Sequence, residues 1–258
     1  MGFEVWGKFI PFYGFFIALG IVFASILLIY LCRKTQTDLN NCIIIAAIFI
    51  AAGFTSAKLL YLIVSADQIK WNVFFTDINY FNQVLSSGFV FYGGLIGALL
   101  VIPSLQKFKS IEFKVCLPVI CPCVSLIHGF GRIGCAFAGC CYGKPAISNF
   151  HIMYQNSAVA PNGIPLIPIQ LIEAFFLFII TAFLLAMVLN GKERLIAPFY
   201  IFSYSVLRFI LEFFRGDIER GFLGTFSTSQ IISLVLITVL LILWQIHRKH
   251  LKSISKHQ

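Results

Sequence analysis

An all-α polytopic membrane protein of about seven transmembrane helices is the fold class this sequence predicts, and three observations predict it. Hydrophobic residues make up 59% of the 258 and charged residues 11%, with a mean hydropathy of +0.93, which leaves too little polar surface to cover a soluble globule. Apolar windows close to the roughly 20 residues that cross a bilayer as a helix recur along the chain, at about 10–32, 42–65, 87–105, 115–131, 168–190, 195–214 and 228–247. Lys and Arg collect after alternate windows, as they do in short cytoplasmic loops.

The first window opens on Tyr13-Gly14, where an interfacial aromatic anchor is the ordinary reading. It is too long for the apolar core of a signal peptide, and no small-residue cleavage site follows it. Cys32 follows Ile29-Tyr30-Leu31, without the small residues of a lipoprotein's own modification site. The second window holds Lys58, whose stem can snorkel to the interface. The third holds SGFVFYGGLIGALL, in which Gly93, Gly94 and Gly97 bare the backbone on one side. Small residues at such spacing usually serve close helix packing, but following Tyr92 they would also leave room for a pocket. The fourth carries Pro118, Pro122, His128 and a glycine cluster, and a broken or re-entrant segment is expected there.

The fifth opens PIQLIEA, with Pro168 suited to a first helical turn and Gln170 and Glu173 three apart on one face. Glu173 there either favours the helix N-terminal dipole, fixes an arginine or accepts a proton. The sixth ends SYSVLRFILEFFRGD, placing Tyr204, Arg208, Glu212 and Arg215 at steps of four, four and three, one stripe of a helix. The plain reading is an intrahelical pair of Arg208 with Glu212. Because Tyr204 and Arg208 lie inside the apolar span, the stripe must face protein or a wet cavity rather than lipid.

Eleven basic residues follow spans one, three, five and seven, among them Arg33, Lys34, Lys192 and Arg194, against five on the other side. The N-terminus is therefore expected outside and the C-terminus inside. The alternation accounts for a net charge of +9 with anionic membrane lipid as its partner and no nucleic acid. One membrane domain, 1–258, is expected, with outer loops at about 66–86 and 142–167 and a basic cytoplasmic tail at 248–258.

The costliest stretch is HGFGRIGCAFAGCCYG at 128–143, which puts Arg132 among glycines and cysteines at membrane depth. An intramembrane charge is a functional-site hypothesis by default. Six of the eight cysteines, Cys116, Cys121, Cys123, Cys135, Cys140 and Cys141, crowd into the fourth span and its flank. Cys121-Pro-Cys123 and adjacent Cys140-Cys141 do not reproduce the spaced pairs of zinc sites, so no metal and no cofactor is expected. A disulfide near the oxidising outer face, a redox role, and packing as small hydrophobes stay open.

Six motifs in order, YGFFIALG at 13–20, SAKLLY at 56–61, FYGGLIG at 91–97, GRIGCAFAGCCYG at 131–143, PIQLIE at 168–173 and RFILEFFRGD at 208–217, together resemble the prolipoprotein diacylglyceryl transferase family. The resemblance implies an enzyme of the bacterial cytoplasmic membrane. Such an enzyme moves a diacylglyceryl group from phosphatidylglycerol to the lipobox cysteine of a prolipoprotein signal peptide and releases glycerol phosphate. It implies a catalytic set of Arg132, Arg208, Glu212 and Tyr92, with the arginines on the phosphate, whose oxygens a guanidinium fork matches. It implies a substrate-binding set of Tyr13, Lys58, Gly93, Gly94, Gly131, Gly134, Cys135, Cys140, Gly143, Gln170, Glu173, Tyr204 and Arg215.

The chain departs from the family pattern at telling places. Tyr92 stands where well-studied members have histidine, Lys58 where they have arginine, Cys135 for asparagine, Cys140 for glutamate and Ile167 for histidine. Activation of the acceptor thiol then falls to the arginine field with a carboxylate, Glu212 or Glu173, or to His128. The alternative is a lipid-binding or thiol-redox membrane protein on the same fold.

Overall fold

The computed structural model describes residues 2–5, 7–67, 69–86, 91–107, 113–217, 222–223 and 226–254. A hairpin, β1 (Gly2–Val5) and β2 (Lys8–Pro11), leads into helix α1 (Phe12–Thr35). Helices α2 (Leu39–Val64), α3 (Trp71–Phe74), α4 (Ile78–Ser86), α5 (Phe91–Lys107) and α6 (Phe113–Ala138) follow. Strands β3 (Ile152–Met153) and β4 (Pro165–Leu166) precede α7 (Ile169–Leu189) and α8 (Glu193–Glu212). The hairpin of β5 (Phe222–Leu223) and β6 (Phe226–Ser227) leads into α9 (Thr228–Ile254).

Among the described residues six helices are long and apolar enough to cross a membrane: α1, α2, α6, α7, α8 and Thr228–Ile246 of α9. The seventh expected span corresponds to α5, whose 17 described residues cover about 25 Å at 1.5 Å per residue. Many apolar side chains on these helices stay uncovered by protein, including Val22, Ile26, Phe54, Ile63, Phe175 and Phe183. That is the surface a hydrocarbon solvent accepts.

The expected break in the fourth span does not occur. Helix α6 runs unbroken for 26 residues with Pro118 and Pro122 inside it. The two prolines are four apart, so their missing donors fall on one side, and membrane helices absorb such gaps through neighbouring groups. Its glycines are places of close approach rather than breaks. A Cβ at Gly129 would lie 2.6 Å from the Phe178 ring of α7, and one at Gly134 would lie 3.2 Å from the Tyr13 carbonyl of α1.

The chain forms two compact units, residues 37–117 and the remainder. In the first of these α2 packs on α5. Gly94 meets the Gly53 carbonyl, Gly93 lies on Ser56 and Ala57, and Gly97 lies on the Ser56 side chain. Of the two readings of these glycines, the structure gives helix packing on this side. The stretch 66–86 is folded by Ile69, Phe74 and Val84, with Tyr61, Leu62, Tyr80 and Phe81 against them.

The other unit holds α1, most of α6, and α7, α8 and α9. Stacked rings join α1 to α6 at Phe16–Phe137 and Phe23–Phe130, and Ser125 donates to the Leu177 carbonyl to join α6 to α7. Helix α9 starts on a reciprocal cap. The Ser227 amide donates to Gln230 Oε1 at 3.0 Å, and the Gln230 amide donates to Ser227 Oγ at 3.2 Å, the Ser-x-x-Gln form of a capping box. The stretch 142–167 packs around Tyr154, Ala160 and Leu166.

Candidate active site

Three helices of one unit meet at a single carboxylate, and a fourth joins through Arg208. Glu173, in the second turn of α7 and 2% exposed, receives Arg132 Nε of α6 on Oε1 at 3.1 Å and Arg208 Nη1 of α8 on Oε2 at 3.8 Å. The Tyr204 hydroxyl donates to Oε1 at 3.3 Å. His128 Nε2 lies 4.0 Å from the same oxygen, its ring edge-on to Tyr204. Arg208 Nη2 also meets Glu212 Oε2 at 2.9 Å and donates to Ser229 Oγ at the start of α9, at 3.3 Å.

The expected Arg208–Glu212 pair is therefore present, but as one edge of a network between helices. His128 and Arg132 are four apart on α6, Tyr204, Arg208 and Glu212 four apart on α8, so each helix turns one polar stripe inward. Two arginines and two carboxylates in so dry a place lose solvation that their attraction repays only in part. A purely structural role would be served at least as well by apolar packing. Of the Arg132 fork, Nε is the atom on Glu173. A guanidinium carries five N–H donors, and a one-nitrogen contact does not exhaust it.

Arg215 does not extend the stripe. Helix α8 ends at Glu212, and the chain beyond it runs as a bridge partner of Gly143, with the Lys144 amide on the Phe214 carbonyl at 2.8 Å and the Gly216 amide on the Tyr142 carbonyl at 2.9 Å. Arg215 is instead forked onto Asp217, with Nε to Oδ1 at 2.9 Å and Nη2 on Oδ2. The bond to that carboxylate outweighs burial and raises the guanidinium above its ordinary range. Gly143 is held against Ile167, so it serves this bridge.

One helical turn before Glu173, Gln170 donates to the Cys140 carbonyl at 2.7 Å and to the Tyr154 hydroxyl at 3.4 Å. Tyr154 in turn donates to the Ala136 carbonyl at 2.8 Å, and burial pushes its phenol up to about 12. Helix α6 ends in a Schellman turn. Gly139 at φ 69° donates to the Ala136 carbonyl, and the Cys140 amide donates to the Cys135 carbonyl at 3.2 Å. That motif brings the side chains at its C3 and C″ positions into contact, here Cys135 and Cys140. Cys141 follows with φ 53°, a left-handed backbone that costs a residue other than glycine about 1–3 kcal/mol.

The three thiols lie within 4.8 Å of one another. Cys135, Cys140 and Cys141 are free thiols, so no disulfide ties this cluster. Hydrogen bonds from Cys135 and Cys140 draw the Cys141 thiol well below its ordinary range, and Arg132 and Arg215 add to the effect.

Of the residues expected at the site, the structure brings together Arg132, Glu173, Tyr204, Arg208 and Glu212, and joins Gln170, Cys135 and Cys140 in a second group through α6 and α7. Gly131 has nothing within 4 Å of where a Cβ would stand. Tyr13 is 44% exposed in the first turn of α1. Lys58, Gly93 and Gly94 belong to the other unit, where Lys58 Nζ donates to the Val84 carbonyl at 2.6 Å and lies over the Tyr61 ring. The Tyr92 side chain lies outside the described residues. Sequence reasoning missed Ser229, Tyr154, Asp217 and Cys141 as parts of these groups. The Ser-x-x-Gln box and the Ala-Gly-Cys-Cys helix end were the available signals.

A family model described as prolipoprotein diacylglyceryl transferase matches residues 2–246. A phosphatidylglycerol–prolipoprotein diacylglyceryl transferase of Clostridium tetani is 38% identical over 247 residues, covering 95% of this chain and 96% of that one. The second transferase of that name in Clostridium perfringens is 34% identical over 248 residues, covering 95% and 94%. The protein of that name from Dehalococcoides mccartyi is 28% identical over 245 residues, covering 93% and 90%.

Proposed function

Because the chain belongs to the prolipoprotein diacylglyceryl transferase family, we infer that it is an enzyme that moves a diacylglyceryl group from phosphatidylglycerol to the cysteine thiol of a prolipoprotein. The observation that carries the reading at residue level is the pair of part-buried guanidiniums, Arg132 and Arg208, held by separate helices against the two oxygens of Glu173. In this reaction a sulfur–carbon bond forms and a carbon–oxygen bond to phosphate breaks. The electron pair leaves on a phosphate ester, so the transition state gains charge on phosphate oxygen. Fixed guanidiniums in a dry site stabilise that charge without reorganising.

In this reading Glu173 keeps two cations side by side that would otherwise repel, and the arriving phosphodiester takes donors that Glu173 leaves unused. Tyr204 and Ser229 orient Glu173 and Arg208. Glu173 and Glu212 already have their oxygens on arginines, which favours for them a role in holding the cations. The lipid enters sideways from the outer leaflet of the bacterial cytoplasmic membrane, and the lipobox of the signal peptide arrives at the same face. Arg132→Ala and Arg208→Ala are each expected to abolish transfer to a lipobox peptide while the protein still inserts. Near-normal turnover by both would overturn these roles.

A further inference from the structure

Building on the transferase reading, we infer that Cys135, Cys140 and Cys141 form a three-thiolate zinc site whose open fourth position binds the acceptor cysteine and presents it as thiolate. Their sulfurs lie within 4.8 Å of one another. Zinc–sulfur bonds of about 2.3 Å in a tetrahedron separate ligand sulfurs by about 3.8 Å, so rotation about Cα–Cβ need draw no pair together by more than about 1 Å.

The tripod is built rather than incidental. The Schellman end of α6 sets Cys135 against Cys140, and the left-handed Cys141 follows directly on them. The turn is pinned by Gln170 on the Cys140 carbonyl at 2.7 Å, Ser157 Oγ on the Gly139 carbonyl at 3.0 Å and Tyr154 on the Ala136 carbonyl. Cys140 and Cys141 are only half-buried, so a ligand can reach them. Three thiolates on Zn2+ carry one net negative charge, which the nearby Arg132 and Arg215 offset. Cys135 stands three residues after Arg132 on α6, so one helix face would set the acceptor sulfur beside the donor's phosphate.

Three protein ligands with a substrate in the fourth position is the pattern of catalytic zinc, and a coordinating thiol loses its proton outright. Here the acceptor thiol gives its proton to water on binding. Its sulfur pair then forms the bond to the glyceryl carbon, and the carbon–oxygen pair departs on glycerol phosphate. The site thus supplies the activation that Tyr92 is poorly suited to give, since a phenol of pKa about 10 is a weak base at neutral pH.

Cobalt titration of the full-length protein in detergent, reduced and free of oxygen, tests the site without turnover. The expected result is one equivalent of Co2+ with thiolate-to-cobalt charge-transfer absorption, displaced by Zn2+ and intensified by a lipobox peptide but not by its Cys→Ser counterpart. Cys135→Ser, Cys140→Ser and Cys141→Ser should each weaken cobalt binding at least tenfold, although each leaves seven cysteines in place. Absence of the band in the wild type, its persistence in all three variants, or its indifference to the thiol peptide would overturn the inference. Transfer measured in the same preparation separates the two claims. Full transfer with no metal bound removes the zinc site alone, whereas a thiol-responsive band without transfer keeps the site and removes the transferase reading.

Discussion

Glu173 is the residue on which the unit of α1 and α6–α9 turns, since two guanidiniums, a phenol and an imidazole meet its oxygens. Glu173→Gln keeps the shape but takes the Glu173 charge from Arg132 and leaves Arg208 with Glu212 alone. Breaking a buried pair from one side costs about 3–5 kcal/mol, so thermal unfolding in detergent should move down accordingly, and transfer should fall by about 100-fold or more as the cations lose their fixed positions. Tyr204→Phe removes one hydrogen bond, worth about 1 kcal/mol net, and should cost only a few-fold in initial rate. An equal loss in both variants would show that Glu173 matters no more than its neighbours. The polar spacing of α8 and the Gln170–Glu173 step disclosed these residues in the sequence. That Glu173, and not Glu212, takes both arginines was hidden, because it depends on which faces of three helices meet.

At the scale of elements, α6 is the lesson. Its prolines and glycines argued for a break, yet it is one helix, because the glycines serve neighbours pressed close to it. Gly129→Ala would push a methyl into the Phe178 ring at 2.6 Å and should cost about 1–3 kcal/mol by overpacking. Gly131→Ala meets nothing within 4 Å and should gain up to about 1 kcal/mol from helix propensity, as read from paired unfolding curves. Destabilisation of the same size in both would argue against this packing. The end of α6 teaches the converse. Spacing alone argued against a metal site, but Gly139 as the left-handed residue of a helix end brings Cys135 under Cys140. Likewise the sixth span's stripe was sound as far as Glu212, and Arg215 left it because the helix stops and the chain bridges to Gly143.

At the scale of the whole molecule, hydropathy and basic residues made the membrane class legible, since a span needs only length and apolarity to be seen. The small folded pieces between spans, with cores at Ile69, Phe74 and Val84 and at Tyr154, Ala160 and Leu166, were invisible because two or three short contacts leave no periodic trace. The basic residues after alternate spans give an expected N-out, C-in orientation. A C-terminal epitope should then be removed by protease in inverted vesicles and survive in right-side-out ones, the reverse pattern counting against it. Diacylglyceryl transfer is read from the mass of a lipobox peptide incubated with the pure protein and phosphatidylglycerol. The predicted result is a gain of one diacylglyceryl group on its cysteine, with glycerol phosphate released, lost in Arg132→Ala and Arg208→Ala. An unchanged peptide mass alongside a reversible thiol change on the well-folded protein would contradict it.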